Sequence, residues 1–246
     1  ESNIVYRAAM RVFKHTESVP QGLKIKLLNQ IPMARGLGSS AAAIVGGLIA
    51  ANILAGNKLS QKELLALATA MEGHPDNVAP ALLGGIVVSV AVDGEIKYVK
   101  IPPPRGLKAV LAVPDFSVLT KTARDVLPQL VSLQDTVFNL GRLALLITAF
   151  HQGDLSLLPT AMEDRIHQPY RASLVPGMKK VLAAARLAGA RGVCLSGAGP
   201  SLLAFADGNF ELIARVMRDT FQQSGIRART MVLNISPVGA RALETV

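Results

Sequence analysis

Tryptophan is absent, aromatic residues make up only 4% of the chain, and there is a single cysteine, Cys194. One cysteine cannot close an internal disulfide or furnish a zinc cluster, so a disulfide scaffold is excluded and a reducing, cytoplasmic setting is expected. Charged residues are also scarce, at 17%, against 50% hydrophobic, which excludes a disordered chain. No stretch reads as a membrane span: the uncharged run from Gly36 to Asn57 is interrupted by Ser39, Ser40, Asn52 and repeated glycines. A signal peptide is not expected either, because Glu1-Ser2-Asn3 opens a polar, mixed segment. Acidic residues are outnumbered, giving a formal charge of +9 over 246 residues, enough chain for one or two domains. That charge points to anionic partners. Nucleic acid is disfavoured by the shortage of aromatics and by the scatter of Arg186, Arg191, Arg215, Arg218, Arg227, Arg229 and Arg241 along the sequence. A basic nucleic-acid-binding module therefore ranks third, behind readings in which the anion is a nucleotide substrate.

What the chain does have is Pro32-Met33-Ala34-Arg35-Gly36-Leu37-Gly38-Ser39-Ser40-Ala41-Ala42, followed by small apolar residues through Ala50. Before it, Leu23, Ile25 and Leu27 alternate with Lys24 and Lys26, a period-2 pattern that predicts a strand over Leu23–Leu28. The order is thus strand, glycine-serine turn, helix start. Gly36 and Gly38 accept positive φ and close approach of the backbone. Ser39 and Ser40 fall where the first helical N–H groups are unpaired and the helix dipole favours an anion. A dinucleotide fingerprint needs a second strand ending in an acid about 20 residues on, whereas Leu59-Ser60-Gln61-Lys62-Glu63 opens another helix. A Walker loop is excluded because no Lys-Ser/Thr pair follows the glycines. The motif alone leaves open a plain glycine turn with a serine cap.

Around it the periodicity predicts a helix from Glu1 to Lys14, the helix after the glycines to about Gly56, and a helix over Ser60–Met71 with a Ser60/Glu63 capping box. Gly46 and Gly47 inside a helix imply close packing against a neighbour. Gly73 and Pro75 predict a loop. Strands Ile86–Val92 and Glu95–Ile101 flank Asp93-Gly94, a hairpin signal. Pro102-Pro103-Pro104 marks the domain boundary, giving domains 1–104 and 105–246. Beyond it the reading is strand Leu107–Val113, helices Thr120–Leu127, Gln134–His151, Leu155–Ile166 and Met178–Leu187, strands Gly192–Ser196 and Leu202–Ala206, helix Phe210–Gln223 and strand Arg229–Ile235. In essentials this is β-α-β-β-α-β, the ferredoxin-like order with extra helices.

Three segments in order resemble the GHMP kinase family: the Pro-x-x-x-Gly-Leu-Gly-Ser-Ser-Ala-Ala stretch, Glu72-Gly73-His74-Pro75-Asp76-Asn77-Val78-Ala79-Pro80, and Leu195-Ser196-Gly197-Ala198-Gly199-Pro200-Ser201. The His-Pro-Asp-Asn-Val-Ala-Pro version resembles the members that phosphorylate homoserine. The resemblance implies an α+β fold of two domains, ribosomal-protein-S5-like then ferredoxin-like. It implies ATP and Mg²⁺ as cofactors and L-homoserine as acceptor, with another small alcohol such as mevalonate as the runner-up. A homodimer is a candidate state; nucleic acid and membrane are not expected partners. Members carry an earlier segment with Asn and Asp contacts to the alcohol, which this sequence lacks. The N-terminal domain is therefore expected to be incomplete and part of the acceptor site to lie outside it.

The resemblance also assigns residues. Asn3 matches a family asparagine near the adenine, and Pro32, Met33, Ala34, Arg35, Gly36, Leu37, Gly38, Ser39, Ser40, Ala41 and Ala42 match the ATP-binding motif. Ser39 and Glu72 would hold Mg²⁺, consistent with a cation that takes one or two protein oxygens. His74 and Asp76 would line the acceptor site. Some relatives have a catalytic aspartate where this chain has Asn77, an amide that accepts no proton, so positioning rather than a strong base is expected to carry the rate, with His74 or Asp76 the remaining candidate bases. Thr120, Arg124, Arg171 and Gly197 match acceptor positions, the arginines suiting a carboxylate. His167 is read as supporting its loop, His15 and His151 as surface residues, and the 196–201 turn as equally a plain hairpin.

Overall fold

A computed structural model describes residues 3–18 and 20–243. Two compact units emerge: Glu1–Ile31, Gly38–Pro102 and Ser236–Val246 form the first, and Pro32–Leu37 with Pro103–Ile235 the second. The division is therefore more interleaved than one cut after residue 104. Backbone bonds explain it. Gly85 N–H donates to Ser236 O at 2.7 Å and Ala240 N–H to Ala81 O at 2.9 Å, tying the last segment to the first unit.

The first unit contains α1 (Ile4–His15), α2 (Ser39–Leu54), α3 (Gln61–Glu72), α4 (Pro75–Leu83) and the hairpin β1 (Ile86–Val92) and β2 (Glu95–Ile101). Its core gathers Val12 and Phe13 from α1, Ile44 and Leu48 from α2, Leu65 from α3 and Val78 from α4. Asn3 Oδ1 caps α1, accepting from Val5 N–H at 2.8 Å. Glu1 and Ser2, included in the expected first helix, lie outside the described residues. The Ser60/Glu63 capping box opens α3, a contact typically worth about 1 kcal/mol. In the hairpin Ile86 faces Ile101 and Val92 faces Glu95. Asp93 and Gly94 both take positive φ, 51° and 79°, as a two-residue turn with the right twist requires.

Two expectations fail here. Leu23–Leu28 forms no strand, and Ile25, Leu27 and Leu28 are exposed. A strand exists only by pairing, and among the described residues nothing pairs with this segment. The His74-Pro75-Asp76-Asn77 stretch is not a loop but the start of α4. Gly73 ends α3 at φ 94°, and Pro75 restarts a helix at its first position, where its missing N–H costs nothing.

The second unit carries β3 (Lys108–Pro114), α5 (Thr120–Asp125), α6 (Leu133–Gln152), α7 (Leu158–Ala161), α8 (Gln168–Arg171), α9 (Met178–Leu187), β4 (Gly192–Leu195), β5 (Leu202–Ala206), α10 (Phe210–Gln223) and β6 (Ala228–Asn234). The sheet order is β4-β5-β3-β6 with antiparallel neighbours throughout, the ferredoxin-like arrangement. Val110, Ala112, Val193, Leu202 and Ala204 meet Val181 and Ala185 of α9 and Ile213, Met217 and Phe221 of α10. On the other face Phe150 of α6 stacks edge-on against Phe205, centroids 5.7 Å apart. The helix expected over Leu155–Ile166 is much shorter. A 3₁₀ turn, Leu155–Leu157, leads into the four residues of α7, and the chain then breaks. It breaks because the carboxylate of Asp164 takes up the backbone N–H groups of Ile166, His167 and Gln168, bonds that compete with continued helix.

The two helical glycines of α2 differ in a testable way. A Cβ on Gly47 would lie 2.6 Å from Val5 O and 2.9 Å from Ala8 Cβ, whereas one on exposed Gly46 meets nothing within 4 Å. Gly46→Ala should therefore stabilise the protein by up to about 1 kcal/mol. Gly47→Ala should destabilise it although the helix propensity gain is the same. Urea unfolding of both variants checks this; equal effects would contradict the α1–α2 packing.

Candidate active site

The glycine stretch is shaped from the second unit. Arg35 lies in its wall with nearly every donor spent on backbone carbonyls: Nε to Pro114 O at 3.0 Å, Nη2 to Asp115 O at 2.9 Å, and Nη1 to Met33 O and Ala34 O at 3.3 and 3.4 Å. Arg35 is thus a clasp at the end of β3. Ser196 Oγ donates to Gly36 O at 2.8 Å, and Ser201 N–H donates to Arg35 O at 3.3 Å. The first and third glycine motifs therefore lie backbone against backbone, 160 residues apart in sequence. Gly36 has no room for a side chain: a Cβ there would sit 2.1 Å from Ser196 O and 2.8 Å from Gly199 N. The loop carries positive φ at Ala34, Gly36 and Gly38, 52°, 70° and 70°. Left-handed residues in a turn face successive N–H groups to one side, the kind of concavity that takes anions. Pro32, Met33 and Arg35 also line a cavity of about 580 Å³ with Val113, Pro114, Asp115, Arg227, Ala228 and Arg229.

From Gly38 the chain belongs to the first unit and enters α2. No side chain caps α2, as none caps α4, α5, α9 or α10, so its first-turn N–H groups, including those of Ser39, Ser40 and Ala41, have no capping side chain. That is the end of a helix an anion would complete. Glu72, last residue of α3, accepts from Ser40 Oγ at 2.9 Å. The carboxylate is hydrogen-bonded to Ser40, the residue after Ser39, which the resemblance paired with Glu72 as a metal ligand. No group of three or more His, Cys, Asp or Glu able to hold a metal occurs among the described residues. A magnesium ion fits this: one carboxylate and a hydroxyl beside an uncapped helix N-terminus suffice for a cation that keeps waters and substrate oxygens as its other ligands.

In the first turn of α4, His74 Nδ1 and Asp76 Oδ1 share a short hydrogen bond, and Asn77 Nδ2 donates to the same oxygen at 3.5 Å. Asp76 thus gathers His74 and Asn77 into one exposed polar cluster at the helix N-terminus. Pro75 creates that cluster by fixing the turn.

In the second unit Arg171 bridges three elements. Its Nε donates to Ala123 O at 3.0 Å and its Nη1 to Gly197 O at 3.1 Å and towards His167 Nδ1 at 3.3 Å, while both Nη2 N–H groups have no hydrogen bond among the described residues. Arg124 follows Ala123 directly, with Thr120 one helical turn earlier on α5. Burial pulls the Arg171 pKa below the ordinary arginine value; Asp164 opposes this, and the like charge of Arg124 adds to it. Arg124, Arg171 and Gly197 are therefore brought together. Burial also lowers His167, so it is neutral at pH 7 and its Nδ1 accepts from Arg171. Burial pushes the Cys194 thiol up to about 12, leaving it protonated and unreactive.

Sequence reasoning missed Ser196, Asp164, Gln168 and Asn139. Gln168 Oε1 accepts from Leu195 N–H at 2.8 Å, and Asn139 Nδ2 donates to Asp164 Oδ1 at 2.7 Å. Ser196 lay inside the third family motif; for Asp164 the signal was its place four residues before Gln168-Pro169, a helix-start pattern hidden by the long helix expected there.

Comparisons with known proteins bear on all of this. The GHMP kinases N terminal domain matches residues 3–85 and the GHMP kinases C terminal domain residues 146–223. The homoserine kinase of Caldicellulosiruptor bescii is 44% identical over 98% of this chain and 79% of its own length. That of Moorella thermoacetica is 48% identical over 92% and 77%. The crystal structure of homoserine kinase from Cytophaga hutchinsonii superposes with a TM-score of 0.91 at 36% identity, covering 97% of this chain and 78% of that one. The mevalonate kinase of L. major shares the fold, with a TM-score of 0.65 at 17% identity, covering 97% of this chain and 78% of that one.

Gly36 and Gly38 have the same φ but different surroundings, since a Cβ on Gly38 meets nothing within 4 Å. Gly38→Ala should cost only the left-handed penalty, about 1–2 kcal/mol. Gly36→Ala should cost at least about 1–3 kcal/mol more from overlap with the 196–199 backbone. Equal losses in urea unfolding would mean that the two glycine motifs do not interlock.

Proposed function

This chain belongs to the GHMP kinase family, and from that premise we infer that it transfers the γ-phosphoryl group of ATP to the side-chain hydroxyl of L-homoserine, giving O-phospho-L-homoserine and ADP. The observation that carries the reading is the 44–48% identity to homoserine kinases across nearly all of this chain. The step places the reading in threonine biosynthesis. Mevalonate kinases are similar at the level of fold alone, so the alternative of another small alcohol has less behind it.

Phosphoryl transfer asks a protein for positioning and charge neutralisation more than for covalent chemistry. In this proposal the N–H groups from Gly36 to Ser40 and the start of α2 hold the phosphates, Pro32 to Ala42 form the nucleotide-binding stretch, and Asn3 lies near the adenine. Glu72, with Ser39 or its bonded neighbour Ser40, would hold Mg²⁺, which supplies neutralisation of the phosphate charge. Asn77 donates rather than accepts, so it orients. His74 and Asp76 are hydrogen-bonded to each other, and an imidazole and a carboxylate are each chemically able to accept a proton from the attacking hydroxyl. The proposal extends to a cytoplasmic setting and to a second copy of the chain as partner; no helix among the described residues is long and apolar enough to cross a membrane.

Homoserine differs from a simple alcohol by its α-carboxylate and α-ammonium groups. Arg124 and Arg171 answer the carboxylate. Two mutually repelling guanidinium groups beside Gly197 are stabilised by an anion, and the Nη2 group of Arg171 has both N–H groups to give. Lysine keeps the charge but cannot hold Ala123 O and Gly197 O while presenting further donors. Arg124→Lys and Arg171→Lys should each lower kcat/KM for homoserine at least about tenfold, the loss of one charge-assisted hydrogen bond. The KM for ATP should stay within about twofold, since these residues take no part in binding nucleotide in this account. Steady-state kinetics with both substrates decide; a loss of ATP affinity with unchanged homoserine kinetics would move these arginines to the nucleotide.

A further inference from the structure

The carboxylate of Asp164, which ends the helix before α8, accepts four hydrogen bonds. Its side chain is only 7% exposed. Oδ1 accepts from Asn139 Nδ2 at 2.7 Å and Ile166 N–H at 3.2 Å; Oδ2 accepts from His167 N–H at 2.9 Å and Gln168 N–H at 2.6 Å. Burial alone would raise its pKa, but hydrogen bonds from Asn139, Gln168 and His167 outweigh that and hold it below the ordinary aspartate value, so it is ionised at neutral pH.

These bonds converge on α8, which has only four residues, Gln168–Arg171. A helix of one turn has no stability of its own. His167, at its N-cap, contributes no side-chain cap, so Asp164 supplies from outside what a capping residue would otherwise provide. Gln168 then ties the helix to Leu195 N–H at 2.8 Å, and Arg171 closes its last turn. Behind Asp164 the chain is anchored on α6: Asn139 Oδ1 accepts from Arg165 N–H at 3.0 Å, Arg142 donates to Glu163 at 2.8 and 3.1 Å, and Phe138 has the Arg142 and Arg165 guanidinium groups over its ring at 3.2 and 3.8 Å.

We propose that Asp164 is a positioning residue for acceptor recognition, fixing the start of α8 and, through that single turn, the guanidinium of Arg171. The proposal rests on the reading that Arg171 meets the acceptor's carboxylate. Asp164 touches no substrate in this account; α6 is the base, Asp164 the joint and Arg171 the working end.

A double-mutant cycle tests it. Asp164→Asn replaces one acceptor oxygen with a donor facing donors. It should raise the KM for homoserine by about tenfold while changing kcat by less than about threefold and leaving the KM for ATP unchanged. Because Asp164 acts through Arg171, the double variant with Arg171→Lys should be no more than about twofold worse than the worse single variant. If Asp164→Asn does not fold, Gln168→Ala in the same cycle breaks the same chain one bond later. Losses that multiply, a KM for ATP that rises in parallel, or a lowered melting temperature with unchanged homoserine kinetics would each overturn the proposal. If Arg171→Lys itself leaves homoserine kinetics unchanged, the reading of Arg171 fails and the proposal with it. If Arg171→Lys has its effect and Asp164→Asn has none, only the positioning role fails.

Discussion

The contact between Gly36 and the 196–201 turn is the constraint from which the rest follows. Ser196 Oγ meets Gly36 O, Ser201 N–H meets Arg35 O, and no side chain fits at Gly36. Two glycine-rich turns are therefore pressed into one object, and the arginine beside them spends its donors on the carbonyls at the end of β3. A loop held this way needs no ligand to define its shape. Preorganised N–H groups of this kind cost no rearrangement when a polyphosphate arrives, which is how phosphoryl-transfer proteins obtain most of their rate.

The same turn also supports α8. Gly197 O holds Nη1 of Arg171, and Leu195, at the end of β4, holds Gln168. The strand that ends in the glycine motif thus carries both the wall of the Gly36 loop and the support of α8. Charge follows the same economy. Arg124 and Arg171 repel, burial weakens Arg171 further, and ionised Asp164 opposes both effects. The result is a pair of guanidinium groups whose mutual repulsion the proposed acceptor carboxylate would relieve.

Much of this was legible in the sequence where the cause is local. The Ser60/Glu63 box, the Asp93-Gly94 turn and helices α9 and α10 arise from residues within a few positions of one another, and the expected bounds agree with the structure. Leu23–Leu28 has the right alternation but no pairing partner among the described residues, and alternation cannot report a partner. The helix α4 was hidden because Pro75 reads as a breaker, although at a first helical position it is a starter. The long helix expected over Leu155–Ile166 yields to Asp164, whose hold on three backbone N–H groups depends on Asn139, far away in sequence. For the candidate site, motif matches pointed to Arg35, Gly36, Glu72, Arg124 and Arg171. They could not show that Arg35 clasps β3, that Glu72 bonds to Ser40, or that Asp164 stands behind Arg171.

The central claim is that a preformed phosphate loop and an arginine pair select an amino-acid alcohol. The most direct measurement is ADP release by the purified enzyme with ATP and Mg²⁺, offered homoserine, mevalonate, galactose or no acceptor. The account predicts acceptor-dependent turnover with homoserine and rates at the no-acceptor level with the other two. Comparable turnover with mevalonate, or ADP release indifferent to acceptor, would contradict it.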